Sequence, residues 1–468
     1  MTSTTVSPPR PLPGWLKNTL LATGVVALCW AAAIAYWRSA ENAPGTGELA
    51  LVLLALPLVL LITLWAIKKR LTGQPVAAVV PVTHSASKPV TAEWKLPPLA
   101  ILATALRAPH GASAEELAAA IAEGKAHADL DPELIDDQGF PVATARREDA
   151  VDEALQEEFN DWLEKNEKIG LSFSAAQWRA LTLGTAVVRD LASEAASILM
   201  PSEGTPPVLQ LIPLLPAEWT VEHRAATVMW FKQQVIEFGW PAASMYCVDL
   251  PGDREHALIK AFGKLAHDAS TPGHGVVALV IACDSQIDQE AVDRWQTRGV
   301  LLTTSGTDGL TPGEGAAGML LTDLQQAQCN KDLAYAVLEP FLDARHDVST
   351  DTSKHTNTKL LLSLAERACK AAAIEPTDVA MIVADTGSRA NRMLELMGVT
   401  STTFPQLENT AEVAPVGVAT GTCGVVPGIT TLALAHHHAL ARAAPVLYAS
   451  NEDAHLRCTA LVRPAPSM

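Results

Sequence analysis

Two apolar runs open the chain. Residues 18–37 (NTLLATGVVALCWAAAIAYW) and 49–67 (LALVLLALPLVLLITLWAI) carry no charge. As a helix, each is long enough to cross ~30 Å of hydrocarbon. Trp15, Trp37 and Trp65 fall near the ends, where an indole suits the interface. Pro57 would kink the second span, which membrane helices tolerate. The small residues of AAAIAYW also fit a cleaved leader followed by one anchor, but so short a connection suits a helical hairpin better. Arg10 and Lys17 precede the first span, Lys68, Lys69 and Arg70 follow the second, and Arg38 lies between. The positive-inside rule then places both ends in the cytoplasm. Residues 1–17 read as a cytoplasmic tail, and residues 71–97, rich in Pro, Ser, Thr and Val, as an extended linker.

From residue 98 the pattern alternates between short continuous apolar runs and helical periodicity. PLAILATAL (98–106), GVVALVIACD (275–284), AAGMLLTD (316–323), VAMIVAD (379–385) and LRCTALVR (456–463) read as strands. SAEELAAAIAEG reads as a helix capped by Ser113 and Glu116 and stopped by Gly124. Residues 256–269, 356–374 and 429–443 are helical in period. This alternation predicts α/β layers. The charged run 147–168 reads as a solvated helix; Phe159 and Trp162 give it an apolar face that would also suit a partner.

The formal net charge of −17 argues against nucleic-acid binding and suits solubility. Seven scattered cysteines with no C-x-x-C form neither a disulfide framework nor a zinc site and suit a reducing compartment. His436, His437 and His438 are consecutive on a predicted helix and so cannot share one metal ion, and His455 with Cys458 is too sparse a pair. No P-loop is present and GSRAN is not a nucleophile elbow. No metal and no cofactor are expected.

TPGEGAAGMLL (311–321) contains G-x-G-x-x-G at Gly313, Gly315 and Gly318. A dinucleotide cradle needs these glycines on a turn from strand into helix, whereas here they precede a strand. The order resembles the G-E-G-A segment of ketoacyl synthases. LAILATALRAPHGASAEELAAAIAEGKA (99–126) resembles the opening strand, loop and helix of that family. VAMIVADTGSRANR (379–392) resembles the segment bearing its first catalytic histidine, and GVATGTCG (417–424) its G-H-x-x-G-A-A-G loop. The resemblance spans roughly 98–463 and implies a thiolase-like fold: two related α/β halves in five layers, 98–345 and 346–468, often as a homodimer.

The family condenses acyl thioesters with a cysteine at a helix N-terminus and two further polar groups. Carried over residue by residue, the nucleophile position falls near Pro251, the first histidine on Asp385 and the second on Val418. Cys247 lies about four residues early and reads as a structural cysteine. Asp385, Arg389 and Arg392 read as a salt-bridged loop, or as a polar remnant of the site. The resemblance therefore implies a pseudoenzyme. AEGKAHADLDPELIDDQGFPVATARR (122–147), with its D-x-x-G-F-P-V-x-x-A-R turn, also resembles adaptors that load lipase effectors onto the type VI secretion spike. That resemblance implies a bacterial inner-membrane adaptor facing the cytoplasm, with a lipase effector and a spike protein as partners. The alternatives are an acyltransferase or condensing enzyme using Cys247 and Asp385, and a non-catalytic partner subunit of a lipid or polyketide synthase.

Overall fold

The computed structural model describes residues 96–466, apart from 169, 202–203, 249, 251–255, 274, 304–305, 307, 330–332, 352–355 and 408–409. They belong to a compact unit, Trp94–Met468. The predicted spans 18–37 and 49–67, the tail and nearly all of the linker lie outside the described residues. Among those described, no helix is long and apolar enough to cross a membrane.

The strands are β1 (Leu99–Arg107), β2 (Asp129–Ile135), β3 (Pro141–Thr144), β4 (Leu209–Leu214), β5 (Met245–Cys247), β6 (Val277–Ser285), β7 (Glu314–Asp323), β8 (Ala336–Leu338), β9 (Leu342–Arg345), β10 (Met381–Ala384), β11 (Val413–Pro415), β12 (Val446–Ser450) and β13 (Leu456–Pro464). The helices are α1 (Ala114–Ala122), α2 (Glu153–Lys165), α3 (Ala175–Leu199), α4 (Val221–Glu237), α5 (Ala257–Ala269), α6 (Gln289–Thr297), α7 (Leu324–Cys329), α8 (Lys359–Ala372), α9 (Ala390–Thr403), α10 (Val416–Thr420) and α11 (Val426–Arg442).

Ten strands run in the order β11-β10-β12-β13-β8-β1-β7-β6-β4-β5, with β9 added on β13. The order contains the same five-strand design twice. In the first set β4 lies parallel between β5 and β6, and β6, β7 and β1 follow antiparallel. In the second, β10 lies parallel between β11 and β12, and β12, β13 and β8 follow antiparallel. The related halves expected from the resemblance are therefore present. They are joined by three residue pairs between β1 and β8, Leu99 with Leu338 among them, so the two sheets run on into one. The second set opens at β8, ahead of residue 346.

The layers follow from what each face buries. Helix α11 is apolar nearly all round and touches β1, β6, β7, β10, β12 and β13, so it lies between the sets. Its Ile429, Leu432 and Leu434 share a core with Val280, Met319, Val383 and Val462. On the outer face of the first set, α3 packs on β1, β6 and β7. Outside the second set, α8 packs on β13 and on α9.

Local signals explain several elements. The side chain of Ser113 accepts the Glu116 amide at 3.1 Å and Gly124 takes φ +69° to end α1. β6 and β7 are buried along almost their whole length, as continuous apolar runs in a doubly covered sheet should be. The charged helix α2 turns Leu155, Phe159 and Leu163 inward. Phe159 is fully buried and meets Trp162, Phe173, Trp178 and Trp230 at ring-centroid distances of 5.1–5.7 Å. The apolar face that would have suited a partner is thus used inside the fold.

The glycine motif also needs a correction. Gly315 and Gly318 lie within β7 itself, with only Gly313 ahead of it, so two of the three glycines are in the strand rather than before it. A Cβ on Gly318 would come within 2.6 Å of Leu191 and 3.0 Å of the Val280 carbonyl, and one on Gly313 within 2.0 Å of the Thr420 carbonyl. Close packing, not phosphate, requires these glycines.

Glu314 between them is fully buried. Its carboxylate accepts from Arg179 Nε at 2.7 Å and Nη2 at 2.5 Å, from Ser285 Oγ at 2.9 Å and from the Arg147 amide at 2.7 Å. Glu314→Ala strands the Arg179 charge in the core. Urea denaturation should show a loss of about 3–5 kcal/mol, and a loss below about 1 kcal/mol would mean that the pair is not what holds this end of the sheet.

Candidate functional site

A cavity of about 790 Å³ opens at the C-terminal ends of β10 and β12. Leu258 of α5, Val425 at the start of α11, and Tyr448 and Cys458 form apolar or weakly polar wall; Asp385, Arg389, Ser450 and Glu452 form the polar wall. This is the position at which parallel strands of an α/β sheet present their loops to a ligand.

Asp385 directly follows β10. Its carboxylate accepts from Ser450 Oγ at 2.5 Å and from the amides of Asn451 and Glu452 at 2.9 and 3.3 Å. These bonds tie the end of β10 to the end of β12. Burial pushes the carboxyl up to about 6, and the neighbouring Glu452 charge adds to the rise.

Arg389 donates to Glu452 Oε1 at 2.9 Å and Asp351 Oδ1 at 2.7 Å. Arg392 donates to Asp351 Oδ1 and Thr350 Oγ1, both at 2.5 Å. Asp385 and Arg389, in the loop from β10 to α9, and Arg392, in the first turn of α9, therefore belong to a cluster braced by internal bonds. The further members, Asp351, Tyr448, Ser450 and Glu452, had no motif to mark them; the sequence signal for the last two is a short apolar run, VLYAS, ending in NED.

Val418 lies in α10, half-buried, and is absent from the cavity wall, whereas Gly417 is part of it. A Cβ on Gly417 would stand 2.2 Å from the Asp385 carbonyl, so this glycine lets α10 approach β10. Pro251 falls outside the described residues. The stretch 248–257 (VDLPGDREHA) that leads into α5 holds no cysteine. His256 caps α5 without a side-chain capping bond.

Cys247 is half-buried on the edge strand β5 and packs toward the aromatic core, away from the cavity wall. Burial pushes its thiol up. Cys458 does reach the wall, but it is buried and its thiol is pushed well up too. Neither environment generates thiolate. His436 is buried on α11, with burial lowering it to about 4, and His438 is lowered likewise. Among the described residues no group of three His, Cys, Asp or Glu is placed to hold a metal ion. His455 Nδ1 faces the His346 carbonyl at 3.2 Å rather than Cys458.

A second cavity of about 580 Å³ shares Ala217, Gly424 and Val425 with the first. Its wall is mainly apolar, including Pro213, Leu215, Val221, Val228, Met229 and Leu250. The two form a hollow that is polar at the Asp385 end and apolar at the α4 end.

Two measurements check this description. Between about pH 4 and 6 the native state holds a proton on Asp385 that the unfolded chain has released, so this group lowers stability as pH rises through about 6. Asp385→Asn keeps an acceptor and removes the titration. The stability of the variant relative to wild type should rise from pH 4 to pH 7 by on the order of 2 kcal/mol. The histidines lowered by burial titrate with the opposite sign in both proteins and cancel in that difference. Alkylation of the native protein should label the exposed Cys329 first, with Cys247 slow and Cys283, Cys423 and Cys458 silent until unfolding. Rapid labelling of Cys247 would restore the condensing-enzyme reading.

No family model and no curated protein matches the chain. Solved structures do. The complex described as "AntDE:AntF (apo): type II PKS acyl-carrier protein in complex with its ketosynthase bound to the hexaketide" aligns with TM-score 0.56 at 12% identity, over 78% of this chain and 99% of that chain. The ishigamide ketosynthase/chain length factor aligns with TM-score 0.51 at 14% identity, over 78% and 99%. The ketosynthase from module 6 of the bacillaene synthase of Bacillus subtilis 168 aligns with TM-score 0.55 at 12% identity, over 79% and 72%. The repeated five-strand design and these alignments together give the described unit the thiolase-like fold of ketosynthases.

Proposed function

We propose that the chain is a non-catalytic ketosynthase-fold protein that acts by binding another protein. The observation that carries this reading is the state of the cavity. Asp385 is bonded to three internal donors, the side chain of Val418 has no polar atom, and no cysteine leads into α5. Condensation needs a thiolate and polar groups free to stabilise developing enolate charge. Five carboxylates against one guanidinium line the wall, Glu218, Asp351, Asp385, Glu452 and Asp453 against Arg389. A thioester carried on a phosphate-bearing arm would meet repulsion there.

As partner we propose first an active ketosynthase. Neighbours of this fold include a ketosynthase/chain length factor pair, which supports a partner-subunit role. A second reading, an adaptor for a type VI lipase effector and its spike protein, rests on the resemblance of the D-D-Q-G-F-P-V turn alone. In both readings the N-terminal runs 18–37 and 49–67 tether the unit to the inner membrane with the ketosynthase-fold unit in the cytoplasm. The hydropathy and the flanking Lys and Arg residues support this.

Purified protein should decarboxylate a malonyl thioester no faster than buffer, and a ketosynthase-like rate would overturn the non-catalytic reading. Affinity capture of the full-length chain from detergent-solubilised native cells, read by mass spectrometry, separates the partners. A ketosynthase supports the first reading, whereas a lipase with spike components supports the second and removes the first.

A further inference from the structure

The antiparallel pair β2 and β3 forms a sheet of its own, apart from the main one. Its inner side is fixed. Leu134 and Val142 join Ile287, Val292, Trp295 and Leu301 in a small separate core. Gln289 of α6 bonds both the amide and the carbonyl of Ile135, at 3.2 and 2.8 Å, and Gln296 accepts the Asp137 amide at 2.9 Å. At the base, buried Asp131 takes Thr144 Oγ1 and Arg146 Nε, each at 2.7 Å. At the tip, Asp136 accepts the amides of Gln138 and Phe140 at 2.9 and 2.8 Å, and Gly139 takes φ +82°.

The outer side is apolar and acidic. Leu130 is 71% exposed, Phe140 54% and Ile135 47%. Residues 129–135 are buried only at Asp131 and Leu134, and the pairing of β2 with β3 is irregular between Leu130 and Ile135, so β2 leaves both of these apolar side chains exposed. Asp129, Asp131, Glu133, Asp136 and Asp137 lie in residues 129–144, which contain no Lys, Arg or His. Arg146 reaches in and is taken up by Asp131 and Glu133. The adjoining α6 adds Glu290 and Asp293, and its Arg294 pairs with Glu290. The braced hairpin thus exposes large apolar side chains in a stretch where carboxylates outnumber their guanidinium partners. Its braced turn removes much of the ordering cost of docking, and three large apolar side chains exposed on one short hairpin offer contact area to a partner.

We infer that the outer face of the β2–β3 hairpin is the docking surface for a basic, apolar segment of a partner protein, with Phe140 as the central anchor. The inference rests on the binding role proposed above and adds the place and the chemistry of contact. Complementary charge selects and orients the segment, and the apolar side chains supply the contact area.

The test replaces Phe140 with the photo-crosslinker p-benzoylphenylalanine in the full-length chain, in native cells. A control chain carries the crosslinker at Leu394, exposed on α9. The expected product is a protein joined at position 140 through a segment with more Lys and Arg than Asp and Glu and with apolar neighbours. Phe140→Asp should lower recovery of the same partner at least tenfold. Should that variant fail to fold, the exposed double change Glu133→Lys with Asp137→Lys should do the same. A crosslink to an acidic or neutral segment, to lipid or to a second copy of this chain overturns the inference. A partner joined at 394 and not at 140 overturns it while leaving the binding role intact. No protein at either position sinks both.

Discussion

The end of the sheet that carries the cavities depends on one buried carboxylate. Glu314 begins β7 and gathers α3 through Arg179, β6 through Ser285 and the chain after β3 through the Arg147 amide. Arg147 then donates from its own guanidinium to the carbonyls of Ala108 and Gly111, just past β1. Arg179 also donates to the Arg147 carbonyl at 2.6 Å. An ion of this kind is costly to bury and holds only when its lone pairs are filled. Here four donors fill them, and the loops at this end are fixed as one group.

Beside that group the two halves meet through bare backbone. Gly313 and Gly421 face each other so closely that a Cβ on Gly421 would stand 2.9 Å from the Gly313 Cα. The Thr422 amide donates to the Thr311 carbonyl at 2.8 Å and the Gly313 amide to the Thr422 carbonyl at 3.3 Å. Thus GEGAAG and GVATGTCG, more than a hundred residues apart, are two sides of one contact. Sterics set these glycines whatever the cavity does. Polar side chains that stabilise charge developing in a reaction answer to a different constraint, which this backbone contact does not set.

This division explains what the sequence made legible. β1, β6 and β7, of nine or ten residues, are built on short apolar runs that are readable as buried strands. β5, β8 and β11 have three residues each, too few to show a period, and their place comes from pairing across the sheet. In α2 the charged composition suggests a solvated helix, yet Leu155, Phe159 and Leu163 recur at four-residue spacing, and that spacing marks its buried face. At the site, Asp385 could be placed from its motif, but Asp351 and Glu452 could not. They reach Arg389 from sequence separations of 38 and 63 residues, and only the fold brings them together.

The charges at the cavity and at the hairpin act in the same direction. A ketosynthase-fold chain that accepted substrate on a phosphate-bearing arm would need a cavity mouth that tolerates anions. This wall has an excess of carboxylates, and its guanidinium is already bonded to Asp351 and Glu452. The hairpin adds a second acidic surface on another part of the unit, with its apolar side chains outward. With a net charge of −17, the long-range field disfavours anionic ligands and draws in basic ones. In the proposed docking role, a surface that steers basic partners onto an aromatic anchor needs no thiolate and no free histidine. The buried carboxylate of Glu314 and the glycine contact, on which a binding scaffold depends, call for neither a polar side chain at Val418 nor a cysteine before α5.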